Sequence, residues 1–161
     1  MTDRVFPCLW FDGDAEEAVT FYVSLVPDSR IVSVSRYGEA GPGEPGSVLT
    51  MVFELAGRRY MALNGGTDFP FSEAVSLVVQ CDTQDEIDRI WGRIVEGGTP
   101  QMCGWIRDRF GMPWQVVPSR IGLWMNGDPA AAGRVMRAVL GMVKLDIPTL
   151  ERAYEGEAVP A

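Results

Sequence analysis

The side chains best suited to chemistry or ligand contact are gathered in one stretch, Gly104-Trp105-Ile106-Arg107-Asp108-Arg109-Phe110-Gly111-Met112-Pro113-Trp114-Gln115-Val116-Val117-Pro118. Aromatic rings supply contact area and stacking, and an amide fixes orientation, so Trp105, Trp114 and Gln115 on paired strands can line a pocket. Arg107 to Gly111 supplies the turn between those strands, with Gly111 free to take positive φ. Trp114 and Gln115 are adjacent, so a regular strand turns only one of them inward. Near the start of the chain, alternation separates Cys8 and Trp10 from Leu9 and Phe11, and Cys8 and Trp10 are the pair expected to face the cavity. Asn64 is expected at its rim, and Cys103 completes the set of pocket candidates.

Much chemistry is excluded by residue type. The chain has no histidine and a single lysine, Lys144, so acid–base work falls to carboxylates or to tyrosines such as Tyr37 and Tyr60. Glu54, Asp68, Glu73 and Asp108 are available carboxylates, but none sits in a recognisable ligand spacing. A nucleophilic Cys8 or Cys103 would need a nearby cation or helix N-terminus, and a strand cysteine is more often a small hydrophobe. Gly41-Pro42-Gly43-Glu44-Pro45-Gly46 is glycine-rich, yet its prolines remove donors and no helix follows; Gly65-Gly66 leads into Asp68-Phe69-Pro70. Neither resembles a methyl-donor or nucleotide loop. No metal, no cofactor and no catalytic residue is assigned from these residues.

The elements that must position the candidates follow from hydrophobic spacing. At 161 residues with 47% hydrophobic content, the chain can build one well-buried core. A net charge of −8 argues against nucleic acid or an anionic membrane as partner. The longest apolar runs are strand-length and no signal-peptide pattern appears, so a cytoplasmic protein is expected. Three widely spaced cysteines fit reduced thiols. Val5 to Phe11 reads as a strand, followed by Asp14 and Glu17 as a capping box. Ala18, Phe21, Tyr22, Leu25 and Val26 recur at helical spacing. Arg30 to Tyr37, Ser47 to Leu55 and Arg58 to Asn64 read as strands, and the Gly- and Pro-rich linker Gly38 to Gly46 as a mobile loop.

The pattern then restarts. Val75 to Cys81 is a strand, Thr83 and Glu86 form a second capping box, and Ile87, Ile90, Trp91, Ile94 and Val95 follow at helical spacing. These positions lie about 69 residues beyond their counterparts in the first helix, and two similar closing strands complete a duplicated β-α-β-β-β unit. After Pro118 the texture is helical. Asp128-Pro129 starts one helix, whose apolar stripe is Val135, Met136, Val139, Leu140 and Val143; Asp146-Ile147-Pro148 starts another through Tyr154. Glu155 to Ala161 is expected to fray.

Together with Pro7-Cys8-Leu9-Trp10-Phe11-Asp12-Gly13, Ala62-Leu63-Asn64-Gly65-Gly66 and the Cys103 to Pro118 segment, this duplication resembles the PhnB-like branch of the vicinal oxygen chelate (glyoxalase/bleomycin-resistance) superfamily. Members of that branch often carry the name 3-demethylubiquinone-9 3-methyltransferase. The resemblance covers nearly the whole chain, including Leu145-Asp146-Ile147 and Leu150-Glu151-Arg152-Ala153-Tyr154 in the helical tail. It implies an α+β fold of two tandem modules forming a curved sheet around a pocket, usually completed in a homodimer. The expected organisation is a single domain, with module one at about 4–66, module two at about 75–118 and a helical extension at about 119–156. Metal-dependent relatives place ligands at positions that correspond approximately to Pro7, Met61, Ser76 and Gln115, where only Gln115 offers a plausible oxygen. The resulting expectation is a metal-free aromatic pocket for a small molecule. The runner-up is a metal-dependent lyase, isomerase or dioxygenase-like enzyme with non-standard ligands, and the methyltransferase name is not expected to describe the activity.

Overall fold

The computed structural model of the chain describes residues 4–157. It divides into two compact units, Met1–Phe71 and Ser72–Ala161. In the first, β1 (Cys8–Phe11), α1 (Ala15–Leu25), β2 (Arg30–Arg36), β3 (Val48–Leu55) and β4 (Arg58–Asn64) form a mixed sheet ordered β1-β4-β3-β2 under one helix. β1 runs parallel to β4, and the other pairs are antiparallel. Helical spacing puts Ala18, Phe21, Tyr22 and Leu25 on one side of α1, where they are buried with Leu9, Phe11, Met51, Phe53 and Ala62 of the sheet. Each such side chain contributes roughly 1.5–3 kcal/mol on removal from water.

The second unit repeats this order with β5 (Leu77–Cys81), α2 (Gln84–Val95), β6 (Thr99–Pro100), β7 (Trp105–Arg107) and β8 (Pro113–Pro118), in a sheet ordered β5-β8-β7-β6. The ladder fixes the repeat more closely than the sequence does. Phe11 pairs with Asn64 and Cys81 with Pro118; the following N–H groups, of Gly65 and Ser119, donate to Phe11 and Cys81. The first strands are therefore offset by 70 residues, whereas the helix N-caps Asp14 and Thr83 are offset by 69. By register, the counterpart of Pro7 is Leu77, not Ser76.

Two local expectations are corrected. Asp14 occupies the N-cap position of α1 without a side-chain capping bond. The Ala15 N–H donates instead to Asn64 Oδ1 at 3.0 Å, so β4 supplies the cap. Thr83 does cap α2, accepting from the Glu86 N–H at 3.2 Å, while the Glu86 carboxylate accepts the N–H of Asp82 at 2.9 Å. The linker Gly38 to Gly46 is a closed loop. Tyr37 N–H donates to Ser47 O and Gly46 N–H to Tyr37 O, both at 2.9 Å. Gly41 and Gly43 lie against the Tyr37 ring so closely that a Cβ at either would stand 2.6 or 2.4 Å from ring carbons.

Beyond β8 come α3 (Ile121–Met125), which the sequence did not announce, α4 (Pro129–Leu140) and α5 (Ile147–Glu155). Asp128 caps α4 through Ala131 N–H at 2.9 Å, and Asp146 caps α5 through Thr149 N–H at 2.8 Å. Their core is Trp124, Val135, Val139, Leu145, Leu150 and Ala153, closed against Val117 of β8. The stripe read from the sequence splits: Val135 and Val139 are inside, whereas Met136, Leu140 and Val143 are exposed. Gly156, in the left-handed region, ends α5 in a bonded turn rather than a frayed one, and residues 158–161 lie outside the described residues. Lys144 falls between α4 and α5 and pairs with Asp88 of α2. Among the described residues no helix is long and apolar enough to cross a membrane.

Candidate functional site

Each sheet has one face covered by its own helix and one turned away from it. In the first unit, Leu9 and Phe11 are buried and Cys8 and Trp10 stand on the opposite face, with Met61 and Leu63 as their register partners. Cys8 is exposed. Trp10 is half-buried, its Nε1–H donating to Gly66 O at 2.8 Å and its ring edge-on to Phe69 at 5.0 Å. Gly65 passes so close to the indole that a Cβ there would sit 2.1 Å from ring carbon Cζ2. Trp10 is thus positioned by the backbone that follows β4.

In the second unit, Trp105 and Gln115 are directly opposed across β7 and β8, both half-buried. Gln115 Nε2 donates to Ser76 Oγ at 2.8 Å. On the same face Arg107 pairs with Glu73, which also accepts from Gln101 Nε2 at 2.9 Å. The Arg107 guanidinium, aided by Gln101, holds the Glu73 carboxyl down at about 2. This face therefore carries an indole, an amide–hydroxyl pair and a charged triad side by side.

Three of the pocket candidates belong elsewhere. Trp114 is buried on the α2-covered face beside Ile106, where its Nε1–H donates to Asp108 Oδ2 at 2.8 Å; strand alternation gave the open side to Gln115. Cys103 has φ of 64° and packs against the core of the C-terminal helices, its N–H donating to Met142 O at 2.7 Å. Asn64 does reach a cleft of about 500 Å³ with Asp12, Glu16, Arg36 and Tyr37, but its side chain is engaged at both ends. Its Oδ1 accepts from Ala15 and its Nδ2 donates to Val48 O at 2.9 Å. Neither Cys8 nor Trp10 lines that cleft.

The carboxylates considered for a metal are also committed or dispersed. Glu54 pairs with Arg30 at 2.8 Å, which lowers its pKa; Asp68 is exposed; Asp108 is buried within its own turn. Among the described residues no three His, Cys, Asp or Glu side chains converge to hold a metal ion. Ser76 and Gln115 are adjacent, as are Pro7 and Met61 through a backbone bond of 2.9 Å. Within neither unit do these positions fit a hard divalent cation: Pro7 and Met61 in the first, and Ser76 or its register neighbour Leu77 with Gln115 in the second, offer at most a hydroxyl and an amide oxygen. Neither Cys8 nor Cys81 is activated as a thiolate: desolvation raises the Cys8 pKa and pushes Cys81 up to about 12.

Residues 3–117 match the family described as 3-demethylubiquinone-9 3-methyltransferase. The PhnB protein from Bacillus cereus is 37% identical, with 71% of this chain and 99% of that chain covered at a TM-score of 0.67. Protein PA1353 from Pseudomonas aeruginosa is 20% identical over 73% of this chain and 98% of that one, at 0.59. Fosfomycin resistance protein FosX from Mesorhizobium loti is 15% identical over 72% and 91%, at 0.51. The last two are likenesses of fold. No curated protein matches the sequence. The match ends before α3, so the expectation that the resemblance runs through the helical tail is not met. Through residues 3–117 the chain belongs to the 3-demethylubiquinone-9 3-methyltransferase family, the PhnB-like branch of the vicinal oxygen chelate superfamily.

Proposed function

We propose that this chain binds small, partly apolar molecules on its open sheet faces, one carrying Cys8 and Trp10 and the other Trp105 and Gln115, without a metal ion. The observation that supports it is the pairing of Trp105 with Gln115, whose amide is held by Ser76 at 2.8 Å. An indole for stacking beside an oriented amide is the minimum a specific organic ligand needs. A cytoplasmic homodimer forms part of the same reading, and the exposed Met136 and Leu140 of α4 are consistent with it.

The test is a fluorescence screen of organic ligands followed by titration of Trp105→Ala and Gln115→Ala. Saturable quenching that weakens at least about tenfold in both variants is expected. Quenching unchanged in both would remove this face from consideration. Elemental analysis of chelator-free protein belongs beside it, and a stoichiometric divalent ion would overturn the metal-free reading in favour of a metal-dependent enzyme. Despite the family's name, calorimetry with S-adenosylmethionine should give no binding heat, because the Gly41–Gly46 loop is packed on Tyr37 and runs into β3.

A further inference from the structure

We infer that the ligand is an organic oxyanion, a carboxylate or phosphonate on an apolar body, held by Arg59 beside Phe6. This rests on the small-molecule reading above and adds the charge that reading leaves open. At the start of β4, Val5, Phe6, Pro7, Arg58, Arg59 and Tyr60 enclose a cavity of about 420 Å³. Its volume suits a molecule of roughly one substituted ring. Arg59 is half-buried and its Nε is completely shielded without a hydrogen-bond partner. Its guanidinium carbon lies 5.9 Å from the Phe6 ring centre, within cation–π range.

An unpartnered buried donor costs stability, so a native one calls for an explanation. Glu54 stands opposite Arg59 in the ladder and could have supplied it. Its carboxylate is hydrogen-bonded by Arg30 at 2.8 Å and acts on Arg59 only as a neighbouring charge. Neither Arg58 nor Arg59 makes an ion pair within the described residues, in a chain whose net charge is −8. Arg58 pairs with Leu55 on the other face of β4, so the guanidinium fork of Arg59 alone matches two oxygens of one oxyanion. Phe6 covers the apolar side, whereas Tyr60 turns to the other face and stacks on buried Phe53 at 5.5 Å. Arg59 also lies two residues before Met61 on the same face of β4, so an anion there extends onto the Cys8 surface.

The test titrates the full-length protein at fixed ionic strength with benzoate, phenylphosphonate and neutral benzyl alcohol, by calorimetry and tryptophan fluorescence. Both anions should bind saturably, with benzyl alcohol at least about tenfold weaker. Arg59→Gln should lose about tenfold for the anions. Arg59→Lys should recover only part of it, because an ammonium lacks the fork. With no ligand present, Arg59→Gln should melt no lower than the parent, since it removes an unsatisfied group; a structural arginine would lower the melting point. Arg59→Met, which keeps the apolar stem, provides the second reading of the anion effect should Arg59→Gln fail to fold. Unchanged anion affinity in the Arg59 variants overturns the inference. Equal binding of anions and benzyl alcohol also overturns it, yet leaves the small-molecule reading intact. Absence of binding by all three overturns the oxyanion site, while the Trp105 and Gln115 titrations decide the broader reading separately.

Discussion

Asp108 is the buried charged side chain among the described residues, 4% exposed, and its role is architectural. Oδ1 accepts the N–H groups of Phe110 at 2.9 Å and Met112 at 3.0 Å, and Oδ2 accepts Trp114 Nε1–H at 2.8 Å. Asp108→Ala leaves those three donors shielded from water, so unfolding by urea should show a loss of about 2–5 kcal/mol; a loss under about 0.5 would refute this role. The sequence presented Asp108 as a turn residue and a spare carboxylate. What it bonds depends on the turn folding back over it, which spacing alone does not reveal. Glu73 gives the corresponding case on the open face. Its lowered pKa means that the pairing with Arg107 stabilises the fold above the ordinary carboxylate value, near 4.3. That contribution is lost as pH falls through about 2. In carboxyl-resolved NMR, Arg107→Gln should move the Glu73 midpoint up toward the ordinary value, and an unmoved midpoint would mean that Arg107 is not its cause. The thiols should separate by labelling at pH 8: Cys8 reacts in the folded protein, while Cys81, buried and pushed up to about 12, reacts only after denaturation.

At the scale of elements, legibility follows the range of the interaction that makes each element end. The caps of α4 and α5 were readable because Asp128 and Asp146 bond donors three residues ahead. The cap of α1 was not, because its acceptor, Asn64, lies 49 residues away on β4. Asn64 joins the end of β4 to the start of α1 and to Val48 of β3, so it closes three elements with one amide. Thermal or urea unfolding should therefore rank the variants: Asn64→Ala loses about 1–3 kcal/mol, Asp128→Ala about 1, and Asp14→Ala a few tenths. An Asp14 effect equal to that of Asp128 would show that the cap operates in solution through Asp14. The strands were legible to within a few residues because alternation is local, and so was the choice of Cys8 and Trp10 as the side opposite Leu9 and Phe11. For Trp114 and Gln115 alternation alone does not decide. The sequence shows that Trp114 and Gln115 point opposite ways, and only the register with Ile106 and Trp105 shows which way each one points.

At the scale of the molecule, the duplication was readable because two units repeat one strand order, and its exact offset was not, because the turn into each helix differs by one residue. The helical extension is the part with no counterpart in the family match, which ends at residue 117. The Bacillus cereus protein is used almost entirely, 99% of its chain, in covering 71% of this one. In this chain the extension is nevertheless joined to the second sheet. Val117 closes the core of α3, α4 and α5, and the N–H groups of Cys103 and Gly104 donate to Met142 O and Val143 O at 2.7 and 2.8 Å. Those bonds hold Cys103 at a positive φ that a residue with a side chain adopts only under constraint. Gly104, also at positive φ, has no room for a Cβ between Val116 O and Leu145. Ending the chain at Pro118 would expose Val117, worth about 1.5–3 kcal/mol, and remove two backbone hydrogen bonds worth about 0.5–1.5 kcal/mol each. Such a sum approaches the whole stability of a small unit. Hydrogen exchange on the shortened chain should accordingly show lost protection across β7 and β8, with β1 to β4 and α1 protected as before. If β7 and β8 stay protected, the second module holds its own fold and the extension is an addition carried on it. If their protection is lost, the extension has become part of the second module's core.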